Sequence, residues 1–211
     1  MNLLSPEKAL VFQVAHLSNV AWILDHGLQS DTSSVRNPHE VRLRNPELAE
    51  KRRRRPVPLP PGGALADYVP FAFAPHALLR DIKTGRNGVT RRPISEIVIL
   101  VSSLPAFARA GVPFVFTDQH PALVTAAFFA ATPDLSRLDW PLWQTHEVER
   151  DLRDPDRIAR CMAEALAYRH VPAAVLHGVA CYGDDERRTV EEMVGQSRSR
   201  IEVWARPGWF L

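Results

Sequence analysis

Apolar and polar positions change their period several times along the chain, and each change marks an element. Residues 9–14 are rich in strand formers. They run into a helix start at Ser18, with Val20, Ile23 and Leu24 on one face and Gly27 as the stop. Residues 29–63 show no sustained apolar period. That segment is polar and basic and closes on Pro56, Pro58, Pro60, Pro61, Gly62 and Gly63, so it reads as a long loop of the functional or mobile kind. A short strand is predicted over 69–73, and a buried one over 96–102, where residues 97–101 are aliphatic without a break. Residues 103–110 read as a short helix ended by Gly111, 114–117 as a strand and 120–131 as an apolar helix. Asp154 reads as the cap of a charged helix with Pro155 at its first position. Residues 173–182 and 200–205 are strand candidates with a helix around 189–194 between them. Strands outnumber long helices without alternating regularly with them, which predicts an α+β fold.

Composition narrows the class. A chain of 211 residues, 45% hydrophobic and 24% charged, fits a single domain over residues 1–211 with a real core. No apolar run approaches the roughly 18 residues of a membrane span. Glu7 and Lys8 near the start, with no small-residue cleavage site, argue against a signal peptide, so the cytoplasm is the expected compartment. Two cysteines, Cys161 and Cys181, suggest neither a disulfide framework nor a metal cluster, and no metal is expected.

The net charge of +2 does not announce a nucleic-acid binder, but its distribution changes the picture. Eight basic residues lie between positions 36 and 55 against Glu40, Glu47 and Glu50, and five between 80 and 92 against Asp81 alone. Acids gather later, between 139 and 156. Signs separated in this way permit a positive face on a nearly neutral protein. No Gly-rich phosphate loop opening a helix, no G-x-S-x-G and no zinc-spaced Cys/His set occurs.

Four segments, in this order, carry a resemblance. The first is Val11-Phe12-Gln13-Val14-Ala15-His16-Leu17-Ser18-Asn19-Val20, followed by Gly27. The second is the basic run at 51–55 with Val57-Pro58 and Pro61-Gly62-Gly63, leading to Asp67-Tyr68-Val69-Pro70-Phe71. The third is Phe114-Val115-Phe116-Thr117-Asp118-Gln119-His120, and the fourth Arg160-Cys161-Met162-Ala163-Glu164. Together they resemble the DarT family of DNA ADP-ribosyltransferases. The resemblance implies an ADP-ribosyltransferase fold in which two small packed sheets form a cleft for NAD, with NAD as co-substrate. It also implies a base of single-stranded DNA as acceptor, a role as the toxin of a toxin–antitoxin pair, and a macrodomain antitoxin as partner.

The chemistry makes the implied roles intelligible. Breaking the nicotinamide–ribose bond leaves an oxocarbenium-like ribose, which a neighbouring carboxylate stabilises while it orients a hydroxyl or takes a proton from the incoming base. Glu164 matches the family's catalytic glutamate. Local propensity alone would carry the helix from Pro155 through it; the family implies that it opens a strand over 165–168. The family's arginine in the basic run is matched by Lys51 in an ungapped comparison, with Arg52 adjacent. The resemblance assigns cofactor contacts to Gln13, Val14, Ala15, His16, Asn19, Leu28 and Lys51, and DNA contacts to Arg53, Arg54, Arg55, His76 and His120. Gln13-Val14-Ala15 stands where the family usually has His-x-Thr, so any contact at Ala15 comes from the backbone.

The acceptor base is guanosine or thymidine. An exocyclic amine needs less help than an imide nitrogen that must lose its proton, which tips the expectation toward guanosine. A base edge is reachable only in a single strand or an extruded nucleotide. Tyr68, Phe71, Trp140 and Trp143 are candidates for stacking, though core packing is the commoner use of such residues. Two other readings remain open: a catalytically inactive module that binds single-stranded nucleic acid, and an NAD-dependent transferase acting on RNA or protein.

Overall fold

The computed structural model describes residues 4–75, 79–85, 88–145 and 153–210. Strand β1 (Leu10–His16) is followed by a 3-10 turn and helix α1 (Val20–His26), then β2 (Leu28–Gln29), α2 (Pro46–Arg54), β3 (Tyr68–Ala72) and α3 (Leu79–Thr84). Next come β4 (Ile97–Ser103), α4 (Leu104–Arg109), β5 (Phe114–Thr117), β6 (Phe128–Phe129), α5 (Trp140–Gln144) and α6 (Arg157–Cys161). The chain closes with β7 (Glu164–Tyr168), β8 (His170–Val171), β9 (Gly178–Cys181), α7 (Asp184–Gln196) and β10 (Glu202–Ala205).

Eight strands form one sheet in the order β10-β9-β4-β1-β3-β7-β5-β6, and β2 pairs with β8 in a second. The large sheet is two halves joined by little. β1 and β4 pair along seven residues, and β3 and β7 along five, whereas β1 meets β3 only at Phe12↔Ala72. Continued, that register would set Val14 opposite Pro70, which has no N–H to donate. The ladder therefore opens there and the halves splay into a cleft. The expected pair of small sheets is in this way a split large sheet, with β2–β8 beside the opening.

The core explains the halves. β4 is buried at all seven positions, which its aliphatic run requires of a strand covered on both faces. Phe71, Phe73, Phe107, Phe116 and Trp143 fill the space around β3 and β5, with Phe73 stacked on Trp143 at 5.0 Å. Tyr68, Phe71, Trp140 and Trp143 are all buried, so these stacking candidates are chiefly core residues. β9 and β10 run parallel, joined by α7, whose acidic first turn (Asp184, Asp185, Glu186) suits the helix dipole.

Several elements differ from the sequence pattern. The segment 29–63 contains helix α2, capped by Asn45, whose side chain accepts from the Glu47 N–H at 2.8 Å, with Pro46 at its first position. Asn-Pro-Glu is a cap signature, and the helix after it carries no apolar period because only its Arg52 is buried. Asn45→Ala should lower stability by about 1 kcal/mol, read as a melting temperature about 2–4 °C lower in thermal unfolding. The expected helix over 120–131 is absent. Its aromatic pair instead forms β6, with Phe129 stacked on Phe116 at 5.6 Å, and Asp118 Oδ1 accepts from the Ala127 N–H at 3.0 Å.

Near the other caps, α1 begins at Val20 after a 3-10 turn capped by His16, not by Ser18. Asp154 and Pro155 lie in a turn, and α6 starts only at Arg157. Asp154 serves Arg160 instead, which donates to both its carboxylate oxygens (2.6 and 3.0 Å) and to Asp139 Oδ2 (3.0 Å). Residues 173–175 form a 3-10 turn, so the strand expected over 173–182 is confined to β9.

Candidate active site

β7 begins at Glu164, as the resemblance implied and against local propensity. α6 ends at Cys161, and the backbone reverses so that the Glu164 N–H donates to Thr117 Oγ1 at 3.1 Å. Thr117 in turn donates to the Gln119 carbonyl at 2.7 Å, so a strand end of β5 fixes where the glutamate stands. The Arg160 carboxylate clamp holds the turn before it. Both cysteines are buried free thiols; burial pushes Cys161 up and Cys181 up to about 12, so neither is poised as a nucleophile.

Opposite Glu164, α2 delivers Arg52. Its side chain is 2% exposed and its Nη1 donates to Glu164 Oε2 at 2.8 Å. Arg52 Nη2 reaches the Leu65 carbonyl at 3.4 Å. That carbonyl is positioned by the proline–glycine segment, in which Leu65 N–H donates to Arg55 O and Val57 N–H to Gly63 O. Tyr68 secures the same segment by donating its hydroxyl to Gly62 O at 2.7 Å; burial first, then Tyr168 and Asp67, push its pKa up to about 12. A buried pair of this kind contributes little net stability, because its charges are costly to hold away from water, and it opens onto a cavity.

Two cavities meet at the cleft. One, of about 600 Å³, contains Arg52, Glu164, Lys51 and His120. The other, of about 420 Å³, contains Gln13, Val14, Ala15, His16, Asn19 and Leu28, six of the seven expected cofactor contacts. Lys51, the seventh, is exposed and lines the Glu164 cavity. Of the two neighbouring cations, Arg52 is thus the one paired with the glutamate. Asn19 is buried and clasps the backbone of Val41 from both sides, donating to its carbonyl at 2.8 Å and accepting from its N–H at 3.0 Å. That clasp fastens the basic segment over the smaller cavity. His16 holds Ser18 Oγ at 2.7 Å and Glu96 at 3.2 Å.

The expected DNA-contacting residues divide. Arg53 and Arg54 are exposed on α2 and pair with Glu50. Arg55 turns away from the solvent run, donating to the carbonyls of Pro121 and Leu123 at 3.2 and 2.9 Å, and so ties the loop before β6 to the end of α2. His120 Nδ1 accepts from the Ala122 N–H, and the His120 backbone N–H donates to Ala159 O at 2.8 Å. His76 lies outside the described residues. Sequence reasoning missed Arg44, which lines both cavities and lies 3.5 Å from Asp31. Its only sequence signal was membership of the basic stretch. Among the described residues no group of His, Cys, Asp or Glu is arranged to hold a metal ion.

A split sheet with a buried Arg–Glu pair in its cleft, next to a second pocket, fits an ADP-ribosyltransferase. The family model for DarT, described as an ssDNA thymidine ADP-ribosyltransferase, matches residues 12–211, and the chain belongs to that family. It is 41% identical over 209 residues to a DNA ADP-ribosyl transferase of Escherichia coli O127:H6, covering 99% of this chain and 96% of that one. A DNA ADP-ribosyl transferase of Thermus sp. (strain 2.9) is 32% identical over 212 residues, with 97% of each chain covered. Solved structures of Thermus sp. 2.9 DarT superpose with TM-scores of 0.89, in complex with ADP-ribosylated ssDNA, and 0.84, in complex with NAD+. Both are 32% identical; the first covers all of both chains, the second 98% of this chain and 99% of that one. The protein is an NAD-using ADP-ribosyltransferase.

Proposed function

We propose that this protein transfers ADP-ribose from NAD to a thymine base of single-stranded DNA, and that it acts as the toxin of a pair whose antitoxin is a macrodomain that removes the modification. The observation that carries the reading is the buried Arg52–Glu164 pair in the larger cavity, which shares a wall with the smaller one. NAD occupies the smaller cavity and extends to Glu164; the base enters the larger one.

In the reaction the C1′–nicotinamide bond breaks, nicotinamide leaves as the neutral base, and the ribose gains positive charge that Glu164 faces. The imide nitrogen of thymine gives its proton to the Glu164 carboxylate and forms the new bond to C1′. The guanosine preference argued from intrinsic nucleophilicity gives way here to thymidine. The family description names it, and the cations Arg52 and Lys51 in the acceptor cavity favour loss of the imide proton. Single strands suit the site because paired imide edges are out of reach. Such a strand lies across the exposed Arg53 and Arg54, with His120 near the base. No helix among the described residues is long and apolar enough to cross a membrane, and the cytoplasm, where single-stranded DNA arises, is the proposed compartment.

The test is incubation with labelled NAD and single-stranded oligonucleotides lacking either thymine or guanine. Label is expected on every thymine-containing strand and on none without thymine. Label that follows guanine overturns the base assignment, and label on RNA or protein in preference to DNA overturns the acceptor.

A further inference from the structure

The two cavities share four lining residues: Gln13, Val14, Leu43 and Arg44. These form a saddle between the pocket of Asn19 and Leu28 and the pocket of Glu164. The saddle lies where the β1–β3 ladder opens at Pro70, and a side chain replaces the missing rung. The neighbours of the Gln13 amide assign its orientation: with its nitrogen toward the Pro70 carbonyl as donor, its carbonyl oxygen accepts from Arg44 Nη2 at 3.0 Å. On its other side Arg44 Nη1 faces Asp31 at 3.5 Å. Gln13 and Asp31 thus hold the guanidinium in one orientation over the saddle.

Charge singles out this residue. Arg36, Arg42, Arg44 and Arg53 line the smaller cavity against Asp31 and Glu40, an excess that suits a dianionic group. Arg42 is engaged with Glu40 at 2.9 Å, Arg53 with Glu50 at 3.0 Å, and Arg36 with the Asp31 carbonyl at 2.6 Å. Of the four, Arg44 alone also lines the cavity of Glu164. It stands close enough to Arg52 and Glu164 to feel both charges. A dinucleotide reaching from Asn19 and Leu28 to Glu164 has to cross over it.

We propose that Arg44 binds the pyrophosphate of NAD at this saddle, with Gln13 and Asp31 as the residues that position its guanidinium. The proposal rests on the reading that NAD spans the two cavities. It assigns Gln13, which stands where the family usually has histidine, a task that needs both an amide donor and an amide acceptor: one for Pro70 and one for Arg44. Arginine suits the position because its planar fork meets Gln13 and Asp31 with two nitrogens and still presents N–H groups to phosphate oxygens.

The test is calorimetric titration of the full chain with NAD, ADP-ribose and adenosine, for wild type, Arg44→Ala, Arg44→Gln and Arg44→Lys. Losing charge-assisted hydrogen bonds to a pyrophosphate should weaken NAD and ADP-ribose by about 10- to 100-fold in the alanine and glutamine variants. Adenosine binding should be unchanged, lysine should recover part of the loss, and transfer to DNA at saturating NAD should keep its kcat while KM rises. Arg44→Gln, which keeps a hydrogen-bonding side chain beside Gln13, serves if the alanine variant does not fold. Unchanged NAD affinity in a folded charge-removing variant overturns the proposal. So does equal weakening of adenosine, which would mark a merely structural role. A wild-type protein that binds no NAD overturns the co-substrate reading itself, and the proposal with it.

Discussion

Glu164→Gln is expected to abolish transfer of ADP-ribose to DNA while leaving NAD binding close to wild type. Glutamine keeps the size of the side chain and an oxygen that accepts from Arg52 Nη1, now 2.8 Å from Oε2. What it removes is the negative charge. That charge matters little to a neutral ribose and much to one becoming an oxocarbenium ion, so the loss falls on the transition state. Removing a preorganised electrostatic stabiliser costs about 10²–10³ in kcat, and loss of a general base a further factor of about 10²–10⁴. A reduction of at least about 10³ in kcat, with NAD affinity within about threefold, is the expected pattern. Single-turnover transfer to a labelled oligonucleotide measures the first and calorimetry the second. Transfer by Glu164→Gln at more than a tenth of the wild-type rate would sink the assignment of the catalytic carboxylate.

Arg52→Ala is expected to damage both stability and rate. The arginine is buried and its partner nearly so, which means that truncation strands the Glu164 charge in a poorly solvated place. Breaking a buried pair from one side typically costs about 3–5 kcal/mol, and the partial opening of Glu164 to the cavity puts the expectation near the low end, about 3 kcal/mol. In a chain of this size that corresponds to a melting temperature roughly 6–12 °C lower. Transfer should fall as well, because the carboxylate loses the donor that orients it. Arg52→Lys separates the two effects: it keeps the charge but not the planar fork that spans Glu164 and the Leu65 carbonyl. It should recover much of the stability and little of the rate. A fully active Arg52→Ala protein would mean that Lys51, exposed on the same cavity wall, supplies the cation.

The site was partly legible from residue order. Arg160-x-x-Ala163-Glu164 pointed to the carboxylate, and the family resemblance placed it at a strand start against the helix that propensity favours. The structure shows why propensity loses: Thr117 takes the Glu164 N–H, and β7 pairs with β3 and β5 on both sides. The choice between Lys51 and Arg52 was not legible, because adjacent residues on a helix point about 100° apart and only the packing of α2 decides which one faces inward. Arg44 was invisible for a related reason. Nothing in its neighbourhood along the chain distinguishes it from Arg42, and its importance comes from Gln13 and Asp31, which lie far away in sequence.

The same division runs through the whole protein. Sequence by itself determined the elements whose signals are local and one-dimensional. The unbroken aliphatic run became β4, Ser103 capped α4 through the Ala106 N–H, and Gly27 ended α1 with φ of 71°. Tertiary structure decided what depends on partners distant in the chain. It turned residues 128–129 into a strand because β5 offered an open edge, and it made a helix of the basic segment that buries a single arginine. It also opened the large sheet at Pro70, which lacks the N–H for one bond of the rung opposite Val14. Local propensity is worth tenths of a kcal/mol per residue, whereas pairing a strand edge or neutralising a buried charge is worth several, so long-range partners prevail wherever they compete.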